Sequence, residues 1–219
     1  MSSHLQRAID KLMAEVIGLS ALVEDSVKLA VQSIEERDID LAKKVVEEDR
    51  IIDAKEIDIE EECLKIFALH QPVAIDLRYL VAVLKINNDL ERIGDLSQNI
   101  AKHSIKILSD PIVVKPVKYQ EICNKVQRMV KMSLDALVNL DLSKAKEILK
   151  ADNEVDQLNH ELYNKVLKEI EKTPQHAHLL IQYSHIARHL ERIADHATNI
   201  AEDIIYLIEG EIVRHSLKI

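Results

Sequence analysis

The sequence predicts an all-α protein built as two tandem antiparallel three-helix bundles, six long helices in total. Composition is the first reason: three glycines, four prolines, one phenylalanine and no tryptophan in 219 residues leave a chain rich in Leu, Glu, Lys and Ala, which favours helix almost throughout. The second is an internal repeat. Asp89–Ala101 reads DLERIGDLSQNIA and His189–Ala201 reads HLERIADHATNIA, with eight of thirteen positions identical, and repetition on that scale makes the chain two equivalent halves. The third is punctuation, because prolines and polar turns cut the chain into stretches of about thirty residues, each about 45 Å long as helix.

The first helix is expected over about 5–35, ending at the polar turn Glu36–Asp38. A second, about 40–69, stops at His70-Gln71-Pro72, since proline cannot continue a helix and pushes its predecessor out of the α region. The third, about 76–108, carries the first repeat copy. Residues 109–116, with Pro111 and Pro116, form the one expected linker. The fourth spans about 117–139 and the fifth about 143–171. Thr173-Pro174 then breaks the chain before the sixth, about 176–209, which carries the second copy. The domain reading is therefore 1–108, a linker at 109–116, and 117–219. Short connections make sequential helices antiparallel, so each half is an up-down-up bundle.

The repeat extends into the second and fifth helices at an offset of 103. Asp38 matches Asp141, Ala42 matches Ala145, and Asp49 and Asp53 match Asp152 and Asp156. Each half thus owns two acidic pairs at i, i+4 spacing: Asp49/Asp53 with Glu91/Asp95, and Asp152/Asp156 with Glu191/Asp195. Residues four apart lie about 40° from each other on one helix face. On the sixth helix the acids fall opposite the apolar arc of Leu190, Ile193, Ala197 and Ile200, so they are expected on or near the surface. If the pairs of neighbouring helices sit at one height, four carboxylates converge. Two charges about 4 Å apart repel by roughly 1 kcal/mol in water and about 4 at an effective dielectric of 20, a penalty relieved by a cation or by proton uptake. Carboxylate oxygens are hard ligands suited to Mg²⁺, Ca²⁺, Mn²⁺ and iron. A multinuclear metal site on each bundle is the expectation, and a solvated acidic face is its rival.

Arg92 and Arg192 recur in the repeat and are expected to pair with nearby carboxylates. Asn99 and Asn199 lie one turn beyond Asp95 and Asp195, where an amide oxygen either extends the site or is exposed. Asn159 and Tyr163 stand where Glu56 and Glu60 have their counterparts, so the two sites differ. His176, His178, His185, His189 and His196 read as surface histidines, although His185 and His189 have the i, i+4 spacing of a transition-metal pair.

Several function classes are disfavoured. A net charge of −9 lacks the basic face that nucleic-acid binding requires. The longest apolar run, Leu80–Leu84, is five residues, against about 20 for a membrane span, and no signal peptide is visible. Cys63 and Cys123 read as reduced core thiols of a cytoplasmic protein. Both glycine-rich phosphate motifs are missing, since Gly18, Gly94 and Gly210 are isolated. With no nucleophile and base in view, the reading is a non-enzymatic binding or regulatory protein. The alternatives are a carboxylate-bridged metalloenzyme of helical-bundle type and a purely structural helical protein.

The tandem halves, the acidic pairs, the DLERIGD signature and the run Gln71-Pro72-Val73-Ala74-Ile75-Asp76-Leu77-Arg78 resemble the PhoU family of bacterial phosphate-signalling proteins. The second half departs from that pattern at Thr173-Pro174-Gln175-His176. The resemblance implies a negative regulator of the phosphate-starvation response and of phosphate uptake. It further implies coupling of the ATPase of a phosphate ABC transporter to a sensor histidine kinase, peripheral to the inner membrane, and a homodimer. It also implies multinuclear clusters, with iron the leading candidate and manganese, zinc, magnesium or calcium as alternatives. Asp49, Asp53, Glu91 and Asp95 would serve one cluster, and Asp152, Asp156, Glu191 and Asp195 the other.

Overall fold

The structure, a computed structural model, describes residues 3–114 and 120–211. Six long helices account for nearly all of them: α1 (Ser3–Glu35), α2 (Ile39–His70), α3 (Ile75–Leu108), α4 (Gln120–Asn139), α5 (Leu142–Lys172) and α6 (Ala177–Glu209), the last preceded by a 3-10 turn at Pro174–His176. Their ends fall within a residue or two of the positions the punctuation predicts. The expected start of the fourth helix at Val117 and the end of the linker at Pro116 lie outside the described residues.

Within the first half α1, α2 and α3 pack on one another, and within the second α4, α5 and α6 do the same. The halves meet mainly through α3 on α6, with α1 on α4 beside it. Lys85 contacts Asp203 while His103 contacts His185, so α3 and α6 run antiparallel. One continuous core crosses both halves, with Leu19, Ile86, Leu90, Ile93, Ile100, Ile148, Ile186, Leu190 and Ile200 fully enclosed. Leu90 and Ile93, with Leu190 and Ile193, are the repeated apolar residues of the signature, and their burial sets the rotation of α3 and α6.

Where α2 and α5 begin, the same turn is built twice. Arg37 (φ 56°) and Leu140 (φ 50°) occupy the left-handed region at equivalent positions, a conformation that costs a non-glycine residue roughly 1 kcal/mol. The residue after each compensates. Asp38 Oδ1 accepts the amides of Asp40 (2.8 Å) and Leu41 (3.2 Å), and Asp141 Oδ1 accepts those of Ser143 (3.0 Å) and Lys144 (3.1 Å). The Asp38/Asp141 match is thus a repeated N-cap, and it sets the level at which each helix enters its bundle. The turn into α3 also has left-handed backbone, at Gln71 (φ 46°) and Ala74 (φ 51°), and exposes Leu69, Val73 and Ile75. Asp141→Ala should lower the free energy of unfolding by about 1 kcal/mol, read by urea denaturation. An unchanged midpoint would mean the cap contributes nothing.

Candidate metal centres

The buried stripe that α2 turns toward α3 contains Val45, Ile52 and Ile59. Asp49 lies in that same stripe, one turn after Val45 and just before Ile52, and is only 4% exposed. The spacing that aligns apolar residues along a helix seam also carries Asp49 into it, whereas Asp195 on the sixth helix is exposed and Glu191 half-buried, as expected of acids on or near the surface. Asp53, one turn on, is exposed, while Glu91 and Asp95 on α3 are half-buried. One carboxylate oxygen from each of Asp49, Asp53 and Asp95 lies within 4.8 Å of the other two. Gly94 permits the approach, since a Cβ there would stand 3.0 Å from Ile52 Cγ2 and 3.5 Å from Asp49 Oδ1.

The second half carries the equivalent acids on α5 and α6, but among the described residues Asp152, Asp156, Glu191 and Asp195 do not bring three donor atoms within 4.8 Å of one another. Asp152 sits in the seam between Ile148 and Val155, both fully buried, and its charge is felt together with those of Asp156, Asp195, Glu191 and Glu202. Asp156 and Asp195 face solvent. Beside them an open cleft is lined by Asp156, His160, His185, Arg188 and Glu191.

Burial and crowding raise the proton affinity of both clusters. Burial pushes Asp49 up to about 6, with the charges of Asp53 and Asp95 adding to it. Asp152 is pushed to about 6 by burial and then by Asp156, Asp195 and Glu191. Glu91 and Glu191 are raised by burial and by Asp95 and Asp195 respectively, and Asp195 by burial and Asp156. Four buried oxygens at equivalent places, Asp49 Oδ1, Glu91 Oε2, Asp152 Oδ1 and Glu191 Oε2, accept no hydrogen bond, although Glu91 Oε2 has an ion-pair contact with Arg92 Nε at 3.4 Å. Buried carboxylate oxygens are ordinarily satisfied. Clusters of acceptor-only oxygens with orphaned members suit a hard cation.

Arginines take part unequally. Arg92 lies 3.2 Å from Asp95 and 3.4 Å from Glu91. In the second half the ion pair to Glu191 comes from Arg188 (3.0 Å), not from the repeated Arg192. Asn199 donates to Asp89 Oδ1 (3.2 Å), across the interface between halves. Glu56 accepts from Asn87 (3.1 Å). The helix-six histidines are more engaged than a surface reading expects. His196 meets Asp89 at 2.7 Å, His178 meets Asp110 at 3.0 Å, and His185 and His189 pack against His103 of α3. His189 is pushed down to about 4, by burial first and then by His103 and Arg192. Cys63 and Cys123 are buried free thiols, and burial raises both.

Comparison with known proteins now decides the family. A family model described as the PhoU domain matches the chain twice, over residues 16–104 and 119–204. The chain belongs to the PhoU family. Each PhoU domain match contains one of the two carboxylate clusters. Among curated relatives, the phosphate-specific transport system accessory protein PhoU homolog of Aquifex aeolicus is 36% identical over 211 residues, covering 96% of each chain. Homolog 1 of Thermotoga maritima is 33% identical, covering 98% of this chain and 93% of its own. The crystal structure of PhoU from Pseudomonas aeruginosa superposes with a TM-score of 0.91 at 32% identity, covering 94% of this chain and 99% of that one. The six-helix tandem-repeat architecture is therefore that of the PhoU fold.

The raised carboxylates give a pH prediction. Because Asp49 takes up its proton near 6 when folded and near 3.8 when unfolded, it destabilises the fold as pH rises through that window. His189 works the opposite way, its depressed affinity adding stability as pH rises from about 4 to its ordinary 6.5. The difference between Asp49→Asn and the parent isolates the carboxylate. In chelator-treated protein that difference should shift in favour of the variant between pH 4 and 7, by thermal unfolding. A difference independent of pH would remove the crowding argument.

Proposed function

We propose that this chain is a metal-bearing regulatory adaptor of phosphate transport, in which cations bound by the carboxylate clusters hold α2 to α3 and α5 to α6. The observation that carries the metal part is the convergence of Asp49, Asp53 and Asp95 within 4.8 Å, with orphaned oxygens repeated on Asp152 and Glu191. The ligand sets are Asp49, Asp53, Glu91 and Asp95, and Asp152, Asp156, Glu191 and Asp195. The donor chemistry supports iron, manganese, magnesium or calcium over zinc, which prefers nitrogen and sulfur. Four carboxylates per cluster supply enough oxygens for more than one ion, which supports a multinuclear centre.

The transport part rests on relatives whose names describe accessory proteins of a phosphate-specific transport system. By that likeness the partner is the ATPase of a phosphate ABC transporter, and coupling to a sensor histidine kinase gives negative control of phosphate uptake and of the starvation response. Among the described residues no helix is long and apolar enough to cross a membrane. A cytoplasmic protein, acting as a homodimer and reaching the inner membrane through its partners, fits this role. A regulatory role is favoured over an enzymatic one because the acids open to the side: Asp53, Asp156 and Asp195 are exposed, whereas a carboxylate-bridged oxidase encloses its metals between helices.

A cation lets these helices pack without mutual repulsion, so metal content sets how firmly each bundle is closed. Adding Mn²⁺ or anaerobic Fe²⁺ to chelator-treated protein should raise the unfolding temperature by several degrees. No shift at millimolar metal would overturn the proposal. Combined Glu91→Ala and Asp95→Ala should remove the metal of the first centre and leave that of the second, by elemental analysis; undiminished metal would place the ligands elsewhere. Pull-down from membrane extracts should recover transporter ATPase in a phosphate-dependent amount, and recovery of none would refute the transport reading.

A further inference from the structure

The α3–α6 interface has two ends related by the repeat. At one end Lys85 pairs with Asp203 (3.2 Å), and Asp89 pairs with His196 (2.7 Å) and Asn199 (3.2 Å). Carrying each position into the other half, at the offset of 100 between the signatures, replaces Lys85 by His185, Asp89 by His189 and Asp203 by His103. Opposite charges therefore close one end of the interface, and three imidazoles stand in their places at the other. The His103 ring lies 5.1 Å from that of His185, nearly parallel at 18°, and 5.4 Å from that of His189, tilted by 31°.

We propose that His103, His185 and His189 form a third metal site, for a borderline divalent transition ion such as Zn²⁺, which ties the first half of the chain to the second. His185 and His189 lie one turn apart on α6, the spacing at which two imidazoles of one helix share an ion. With metal–nitrogen bonds of about 2.0–2.1 Å, two imidazoles at a tetrahedral angle place their ring centres about 5 Å apart, close to the separations found here. His103 is already oriented. The amide nitrogen of Gln182 donates to His178 O (3.3 Å), which turns Gln182 Oε1 to His103 Nδ1 at 2.7 Å. His103 Nδ1 must then carry the proton, leaving the Nε2 lone pair for a metal, the arrangement that outer-sphere acceptors impose on metal-binding histidines.

The other two rings have no such commitment. His189 Nδ1 is buried without a hydrogen-bond partner, a cost that coordination would remove. Among the described residues only Asp49, Asp53 and Asp95 hold three donor atoms within 4.8 Å, so closing the histidine site requires the rings to turn, and the second torsion of histidine is soft. Lys106 and Arg192 lie near enough to act on these rings. Both are exposed, and long side chains of this kind can turn their charges to water. Imidazole donors select zinc, cobalt, nickel or copper over the hard cations suited to the carboxylates. The site therefore differs from the two acidic centres in metal preference and in joining α3 to α6.

The test uses the full metal-free chain and Co²⁺ as probe, since a tetrahedral nitrogen-ligated ion gives visible absorption several-fold stronger than octahedral oxygen sites. One equivalent of strongly absorbing Co²⁺, displaced by Zn²⁺, is expected. The signal should survive combined Asp49→Asn and Asp152→Asn. It should disappear in His185→Asn, an exposed position whose change leaves the core intact, and in His103→Gln, with zinc affinity falling about tenfold or more. Weak octahedral-type absorption alone in the parent, or full signal in both histidine variants, would overturn the site.

Discussion

Repulsion among carboxylates held at one level between antiparallel helices is the constraint on which the rest of this structure depends. A single acidic pair on a helix surface is a solvated feature of small consequence. Here the seam of α2 carries Asp49 inward with Asp53 one turn on, and the approach of α3 at Gly94 brings Asp95 beside them. Burial then removes the water that would screen these charges. The arrangement is affordable only because the surrounding core is large and continuous, and because Arg92 and Arg188 each take up part of the charge.

The level at which the acids meet is set some distance from them. Repeated caps at Asp38 and Asp141 start α2 and α5 in the same way relative to their neighbours. From there the helix geometry carries Asp49 and Asp152 three turns along to the same height as the signature acids. The left-handed residues Arg37 and Leu140 show that both halves hold the same strained turn to achieve this. Both halves thus share a geometric solution as well as a set of acidic residues.

The halves are nevertheless not interchangeable. Gly94 has Ala194 as its counterpart, Arg92 gives way to Arg188 as the partner of the signature glutamate, and the second cluster opens onto a cleft containing His160 and His185. At the interface between halves the difference is one of chemistry: paired charges around Lys85 and Asp89, imidazoles around His185 and His189. The two acidic clusters therefore lie in unequal surroundings within one chain.

Helix boundaries and the eight acids were legible in the sequence because both are local. Proline, polar turns and the i, i+4 spacing are written within a few residues, and the repeat aligned the two halves without any knowledge of packing. The burial of Asp49 was also open to view, since Val45, Asp49, Ile52 and Ile59 follow a heptad seam, whereas the angular placement opposite the apolar arc applies to the acids of the sixth helix and does not extend to Asp49 on the second. What the sequence by itself determined is thus six helices, their pairing into two bundles and the acids each bundle presents. Only the tertiary structure decided that Arg188 rather than Arg192 meets Glu191, that Asp89 reaches His196, and that His103 joins His185 and His189. Those contacts join residues on different helices or depend on side-chain direction, and no periodicity along one helix records which neighbour it will face.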